Sequence, residues 1–175
     1  RDAIDESTLV NYVRFYLPKL LPKAVGKVLW VDIDGLVLGD VRTLMSQVFN
    51  TKYSSALLAI VPKRRRGLTP EIGNLSRLYA LDGQLHSLVT MREHAFNAGF
   101  IVLNLQAWRD KDVTAQLEAM IGRLSLTGAQ RCGHDKWSGM STNCDSQTPL
   151  VLVMRSIPGS LEKLHTSWNV DGLGW

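Results

Sequence analysis

The stretch Lys27-Val28-Leu29-Trp30-Val31-Asp32-Ile33-Asp34-Gly35 decides the fold class. Val28, Leu29, Trp30 and Val31 form a continuous apolar run, which predicts a strand buried on both faces, as in an α/β domain. The run ends on two carboxylates with one residue between them. Open α/β sheets bind ligands just beyond the carboxyl ends of their strands. Carboxylates placed there suit a hard cation that also holds phosphate. Because D-x-D is so short, the same pair also fits turn-capping or solvated aspartates after an ordinary strand.

Upstream of this strand, Leu9, Val10, Val13, Leu17, Leu20 and Leu21 recur at helical spacing. They predict an amphipathic helix over residues 6–21, with Ser7 as a candidate cap and Pro18 ending or kinking it early. On this helix Arg14 reads as a salt-bridging surface arginine. Downstream, the pattern predicts a short helix over 41–49, a second buried strand over 55–61, an exposed loop over 62–70 and a helix near 83–91. Phe96-Asn97-Ala98-Gly99-Phe100-Ile101-Val102-Leu103-Asn104-Leu105 runs from small residues into an apolar strand. A backbone or ligand can approach closely at Ala98-Gly99, although a simple turn before a strand reads the same way. Val113, Leu117, Met120, Ile121 and Leu124 predict a core-packed helix over 113–124. Residues 125–146 then form the longest loop-like segment, and Thr148-Pro149 reads as the cap and first residue of a helix through 150–154.

The 175 residues, 45% of them hydrophobic, fit one domain or part of a larger one, with no repeat and no linker. No run reaches the roughly 18 apolar residues of a membrane span, and Arg1-Asp2-Ala3-Ile4-Asp5-Glu6 is no signal peptide. The chain does not begin with methionine, which points to a processed or cut N-terminus. The net charge of +4 is modest, and its densest source is Lys63-Arg64-Arg65-Arg66. With Pro62 and Gly67 beside it and no interleaved aromatics, that cluster reads as a solvated loop, so nucleic acid is not an expected partner. Cys132 and Cys144, near His134 and Asp145, leave three alternatives open: a zinc site, a disulfide in an oxidising lumen, or two free thiols.

A strand running into Asp32-Ile33-Asp34-Gly35 also resembles the opening of a haloacid-dehalogenase-type phosphatase, in which the first aspartate attacks phosphorus. Leu36 stands where such an enzyme usually has threonine, and the later lysine and acidic pair have no match. A closer resemblance is carried by Arg14-Phe15 with Leu20-Leu21-Pro22, by residues 27–34 with Gly39-Asp40, and by residues 96–105 with Trp108-Arg109. In order and spacing these resemble glycosyltransferase family 8. Residues 146–153 and 168–174 are similar to the eukaryotic family-8 domain-containing transferases.

The resemblance implies a GT-A fold: a Rossmann-like α/β nucleotide-diphospho-sugar transferase fold whose mixed, mainly parallel central sheet is flanked by helices. It implies that residues 1–175 are a partial catalytic domain, without the N-terminal strand unit and the C-terminal segment. Asp32 and Asp34 match the family's pair that holds manganese or another divalent cation, which in turn holds the diphosphate of a UDP-sugar. A third metal ligand is then expected beyond Trp175. Arg14 matches a family arginine near the donor, Asn97 and Ala98 match the donor-sugar pocket, and Gly99 gives clearance beneath it. Gln147 falls where the family often has an Asp-Gln pair beside the reacting sugar. Ser146 precedes it here and Asp145 stands one place earlier, so Gln147 and Asp145 are the candidate catalytic residues. The implied reaction moves a hexosyl-type sugar to a hydroxyl of a glycan, protein or lipid acceptor with retention of configuration. A chain that truly lacked both ends of the site would instead be a non-catalytic interaction module. With a eukaryotic source the implied location is the Golgi lumen, in a type II membrane protein, which suits a Cys132–Cys144 disulfide; with a bacterial source it is the cytoplasm.

Overall fold

The structure, a computed structural model, describes residues 10–50, 52, 54–62, 83–84, 88, 96–126 and 146–169, without the side chains of Asn97 and Leu126. In chain order the described elements are α1 (Val13–Leu20), β1 (Lys27–Val31), α2 (Val41–Gln47), β2 (Leu58–Pro62) and β3 (Phe96–Asn104). They continue with α3 (Leu105–Asp110), α4 (Val113–Leu126), α5 (Gln147–Ser156), β4 (Leu161–Lys163) and a 3₁₀ turn at Thr166–Trp168. Gly83, Gln84 and Leu88 are helical, within the helix predicted near 83–91. The basic cluster 63–66, Cys132, Cys144, His134, Asp145 and the Ser7 cap lie outside the described residues.

The described strands form one mixed sheet in the order β1-β3-β2-β4. β1 and β2 each pair with β3 antiparallel, whereas β2 and β4 pair parallel. Three strands therefore share a direction and β3 alone is reversed. Because β3 lies between β1 and β2, two of the three pairings are antiparallel although the strand directions are mainly parallel.

Strand periodicity assigns each side chain to a face. Leu58, Ile60, Ile101 and Leu103 join the larger core, with Phe15 of α1, Trp108 of α3, Leu117 of α4 and Leu150 of α5. Ala59, Phe100 and Val102 join the smaller core, with Leu44 of α2, Val48 and Phe49. Both faces are thus covered, as an α/β sheet requires. β2 and the body of β3 are buried, in line with their apolar runs. β1 differs from the expectation of two buried faces: all five residues are only half-buried, because it has a neighbour on one side only among the described strands.

α1 also departs from the predicted stripe. Val10, Val13 and Leu20 are exposed, and the buried positions are Arg14, Phe15 and Pro18. Phe15 docks on α4, where Thr114 donates to its carbonyl at 2.8 Å and itself accepts from the Trp108 indole at 3.2 Å. Arg109 donates to the carbonyls of Pro18 (2.9 Å), Val25 (3.2 Å) and Leu21 (3.3 Å). Arg109 thereby fixes the turn that leads into β1. Asn104 ends β3 by capping α3 through Ala107 N–H at 3.1 Å, while its amide donates to Ser54 and Ala56 carbonyls at 3.0 Å.

α2 carries a side-chain cap at its N-terminus. The Asp40 carboxylate accepts from Arg42 N–H at 2.9 Å, and that bond above all holds its pKa below the usual aspartate value. At the other end Lys27 Nζ donates to the Val48 carbonyl at 2.8 Å. The next residue, Phe49, has φ of 56°, a left-handed backbone that is uncommon for a bulky side chain. Its N–H is taken by the buried Glu162 carboxylate of β4 at 2.7 Å. No strand was expected at β4; three residues are too few for a periodicity signal. α4 runs to Leu126, past the predicted start of the long loop, and Pro149 is the third residue of α5, still within the first turn, where proline is tolerated.

Candidate active site

The candidate site lies where the β-ladder around β3 runs out. The last β1–β3 pair is Val31 with Phe100, and on the other side the β2 register breaks between Ile60 and Pro62. Residues 97–99 are therefore left with backbone groups that the regular ladder does not take up, and buried backbone groups need partners. Asp32 N–H donates to the Gly99 carbonyl at 2.8 Å, extending the contact one residue past the strand. Arg14 of α1 donates from Nη1 to the Ala98 carbonyl at 2.8 Å. From α5, Gln147 Oε1 accepts the Ala98 N–H at 3.3 Å.

These bonds bring together residues far apart in sequence: Arg14, Asp32, Ala98, Gly99 and Gln147. Arg14 is no surface salt-bridging residue. It is 5% exposed, its Nε donates to the Asn11 carbonyl at 3.0 Å, and its guanidinium sits over the Trp30 ring, 5.0 Å from the centroid. The Trp30 indole N–H in turn donates to Asp32 Oδ1 at 2.7 Å. Trp30 was not singled out among the candidate residues. Its signal was present: residues i and i+2 of a strand share a face, so Trp30 lies on the same side as Asp32.

Beyond Asp32 the chain turns sharply, with Gly35 N–H donating back to the Asp32 carbonyl at 2.9 Å. A Cβ at Gly35 would come within 2.9 Å of Val31 Cγ1, so this turn requires glycine. It leaves Asp32 half-buried and Asp34 exposed. Ile33, Leu36 and Leu38 are exposed as well. Gly39 packs under the Trp168 indole, which stacks on Phe100 at 6.2 Å and thus ties the far end of this loop back to β3.

Among the described residues no three His, Cys, Asp or Glu side chains cluster as a metal cage. What Asp32 and Asp34 offer is a pair of hard oxygen donors at a strand end, one of them oriented by an indole N–H. That donor set is chemically compatible with a divalent cation. Asn97 lies in β3 beside Ala98, with its side chain outside the described residues. No described helix is long and apolar enough to cross a membrane.

A family model described as glycosyl transferase family 8 matches residues 2–174. Glycosyltransferase 8 domain-containing protein 1 of Danio rerio is 29% identical over 175 aligned residues, covering 94% of this chain and 44% of that protein. Probable galacturonosyltransferase-like 3 of Arabidopsis thaliana is 28% identical, covering 99% of this chain and again 44% of the relative. The chain therefore spans less than half the length of these curated relatives. Among solved structures, mouse xyloside xylosyltransferase 1 superposes with a TM-score of 0.59 at 17% identity, over 91% of this chain and 52% of that one. The galactosyltransferase LgtC, solved with donor and acceptor sugar analogues, gives 0.51 at 17% identity over 89% and 44%. At such identities the likeness establishes the fold, that of GT-A glycosyltransferases.

Proposed function

This chain belongs to glycosyl transferase family 8, and from that premise we propose that it forms part of the catalytic domain of a retaining, manganese-dependent glycosyltransferase using a UDP-sugar donor. The observation that carries the proposal is the convergence of Asp32, Ala98, Gly99, Arg14 and Gln147 at the one place where β3 leaves its ladder. A strand end with carboxylates on one side and small residues on the other suits a sugar diphosphate lying across it.

In this reading Asp32 and Asp34 hold the cation, and manganese, when bound, offsets the charge that develops on the leaving diphosphate. Ala98 and Gly99 present backbone and little side chain to the sugar. Arg14 and Gln147 hold that backbone from opposite elements, so the floor of the sugar pocket is fixed before donor arrives. Gln147 begins α5 beside Ala98, the position from which it would meet the reacting sugar, with Asp145 just upstream. The family resemblance assigns Asn97 to the same pocket. The acceptor is a hydroxyl of a glycan, protein or lipid, and the transferred sugar is of hexosyl type. With a eukaryotic source the domain would work in the Golgi lumen, held there by a membrane anchor; with a bacterial source, in the cytoplasm. The phosphatase reading draws on the same two aspartates, and no other observation favours it.

The test is calorimetric titration of UDP into the purified full-length protein with manganese present and then with the metal chelated. Binding that requires the metal supports the transferase reading. A folded protein that binds no UDP under either condition would overturn it in favour of a non-catalytic module.

A further inference from the structure

We infer that Trp30 is a positioning residue for the cation site: its indole N–H fixes the Asp32 carboxylate in the orientation that receives the metal. The inference rests on the transferase reading above and assigns a role that reading does not contain. A half-buried indole at a strand end could satisfy its N–H with water. Here it is aimed at Asp32 Oδ1 at 2.7 Å, two residues along the same face of the chain. The ring is itself held. Arg14 lies over it at 5.0 Å from the centroid, and Arg14 is buried and bonded through Nη1 to the Ala98 carbonyl at 2.8 Å.

One line of contacts therefore runs from the Ala98 backbone through Arg14 and Trp30 to the Asp32 carboxylate. If the indole tilts, it gives up the bond to Asp32 and the cation–π contact together. With Oδ1 engaged by the indole, the carboxylate has one oxygen fixed by the protein, and rotation about its terminal torsion is restrained. This matters because the pair has little other rigidity: Asp34 is exposed and Ile33 between the two aspartates is fully exposed. Groups that hydrogen-bond to metal-ligating carboxylates commonly control affinity, and their removal weakens metal binding by about 10- to 100-fold.

Trp30→Phe separates the bond from the packing, since phenylalanine keeps an aromatic face for Arg14 and loses only the donor and one ring. Free Mn(II) would be followed by electron paramagnetic resonance during titration into the purified full-length protein with saturating UDP. Three proteins are compared: unsubstituted, Trp30→Phe and Asp32→Ala. The expected result is a Mn(II) dissociation constant raised about tenfold or more in Trp30→Phe, with a thermal midpoint close to the unsubstituted protein. A constant within twofold of the unsubstituted value would overturn the assignment. If Trp30→Phe does not fold, benzothienylalanine at position 30 keeps both rings and removes the N–H, and the same two outcomes apply. The two levels of failure differ. No Mn(II)–UDP binding by the unsubstituted protein, or equal binding by Asp32→Ala, sinks the transferase site and this role with it. Metal binding that needs Asp32 but ignores the indole sinks this role alone.

Discussion

β1 and β3 meet at the candidate site and are built in opposite ways. β3 is nine residues long and lies between two partners, with Ile101, Val102 and Leu103 fully buried. β1 has five half-buried residues and one partner among the described strands. The stability of β3 comes from burial and from ladders on both sides. The start of β1 is held by Arg109 on the preceding turn, and its end by the Asp32 N–H on the Gly99 carbonyl, by Trp30 on Asp32 and by Arg14 on Trp30. The difference shows how one sheet can be rigid in the middle and still present carboxylates to solvent at its margin. It also predicts that the two strands fail differently when altered.

The largest expected effect separates binding from folding. Asp32→Ala and Asp34→Ala should each abolish manganese-dependent UDP binding in calorimetry while circular dichroism melting stays nearly unchanged. Loss of folding in both would erase the contrast and make the pair a structural turn. In β3 the converse holds. Leu103→Ala removes a fully buried side chain shared by both pairings and should cost about 2–5 kcal/mol in urea unfolding. A cost below about 1 kcal/mol, small against that range, would show that β3 is not the template of the sheet.

Arg109→Ala lies between these extremes. It releases five backbone carbonyls, those of Pro18 in α1 and of Leu21, Pro22, Lys23 and Val25 leading into β1, so a loss of about 1–3 kcal/mol is expected in urea unfolding, with weaker metal-dependent UDP binding. Lysine should not rescue it, because a point charge cannot reproduce the fork. Unchanged UDP binding in a destabilised Arg109→Ala would mean that the turn does not govern the aspartates. The smallest effect is at Asp40, beyond the aspartate turn. Its pKa is lowered in the folded state, chiefly by the Arg42 N–H, so its contribution is present above the unfolded pKa and disappears as pH falls through the folded one. Asp40→Asn keeps a capping oxygen and should flatten that slight acid-side decline in thermal midpoint. An identical pH profile in both proteins would show that the charge at this cap contributes nothing.

Much of this was legible in the chain itself. Apolar runs and periodicities located β1, β2, β3 and α4, and the paired aspartates fell at the strand end where they had been expected. What misled was local resemblance between different burial states: Val28, Leu29, Trp30 and Val31 are as apolar as a central strand, yet β1 is half-buried. Helical pattern alone read Arg14 as a surface charge, and only the family resemblance put it near the donor, because nothing nearby in sequence announces the Ala98 carbonyl, 84 residues away, that accepts from it. β4 and Glu162 were invisible for the same reason, their partners being β2 and Phe49.

By itself, then, the sequence determined most of the longer elements, the carboxylate pair and the small residues at Ala98-Gly99, because propensity, periodicity and turn chemistry act over a few neighbouring residues. Only the tertiary structure decided that β3 is reversed inside the sheet, that its ladder stops at Phe100 beside β1, and that Arg14, Trp30 and Gln147 meet there. Those facts depend on which distant backbone groups are left to be satisfied once the strands have paired, and the folded chain settles that as a whole.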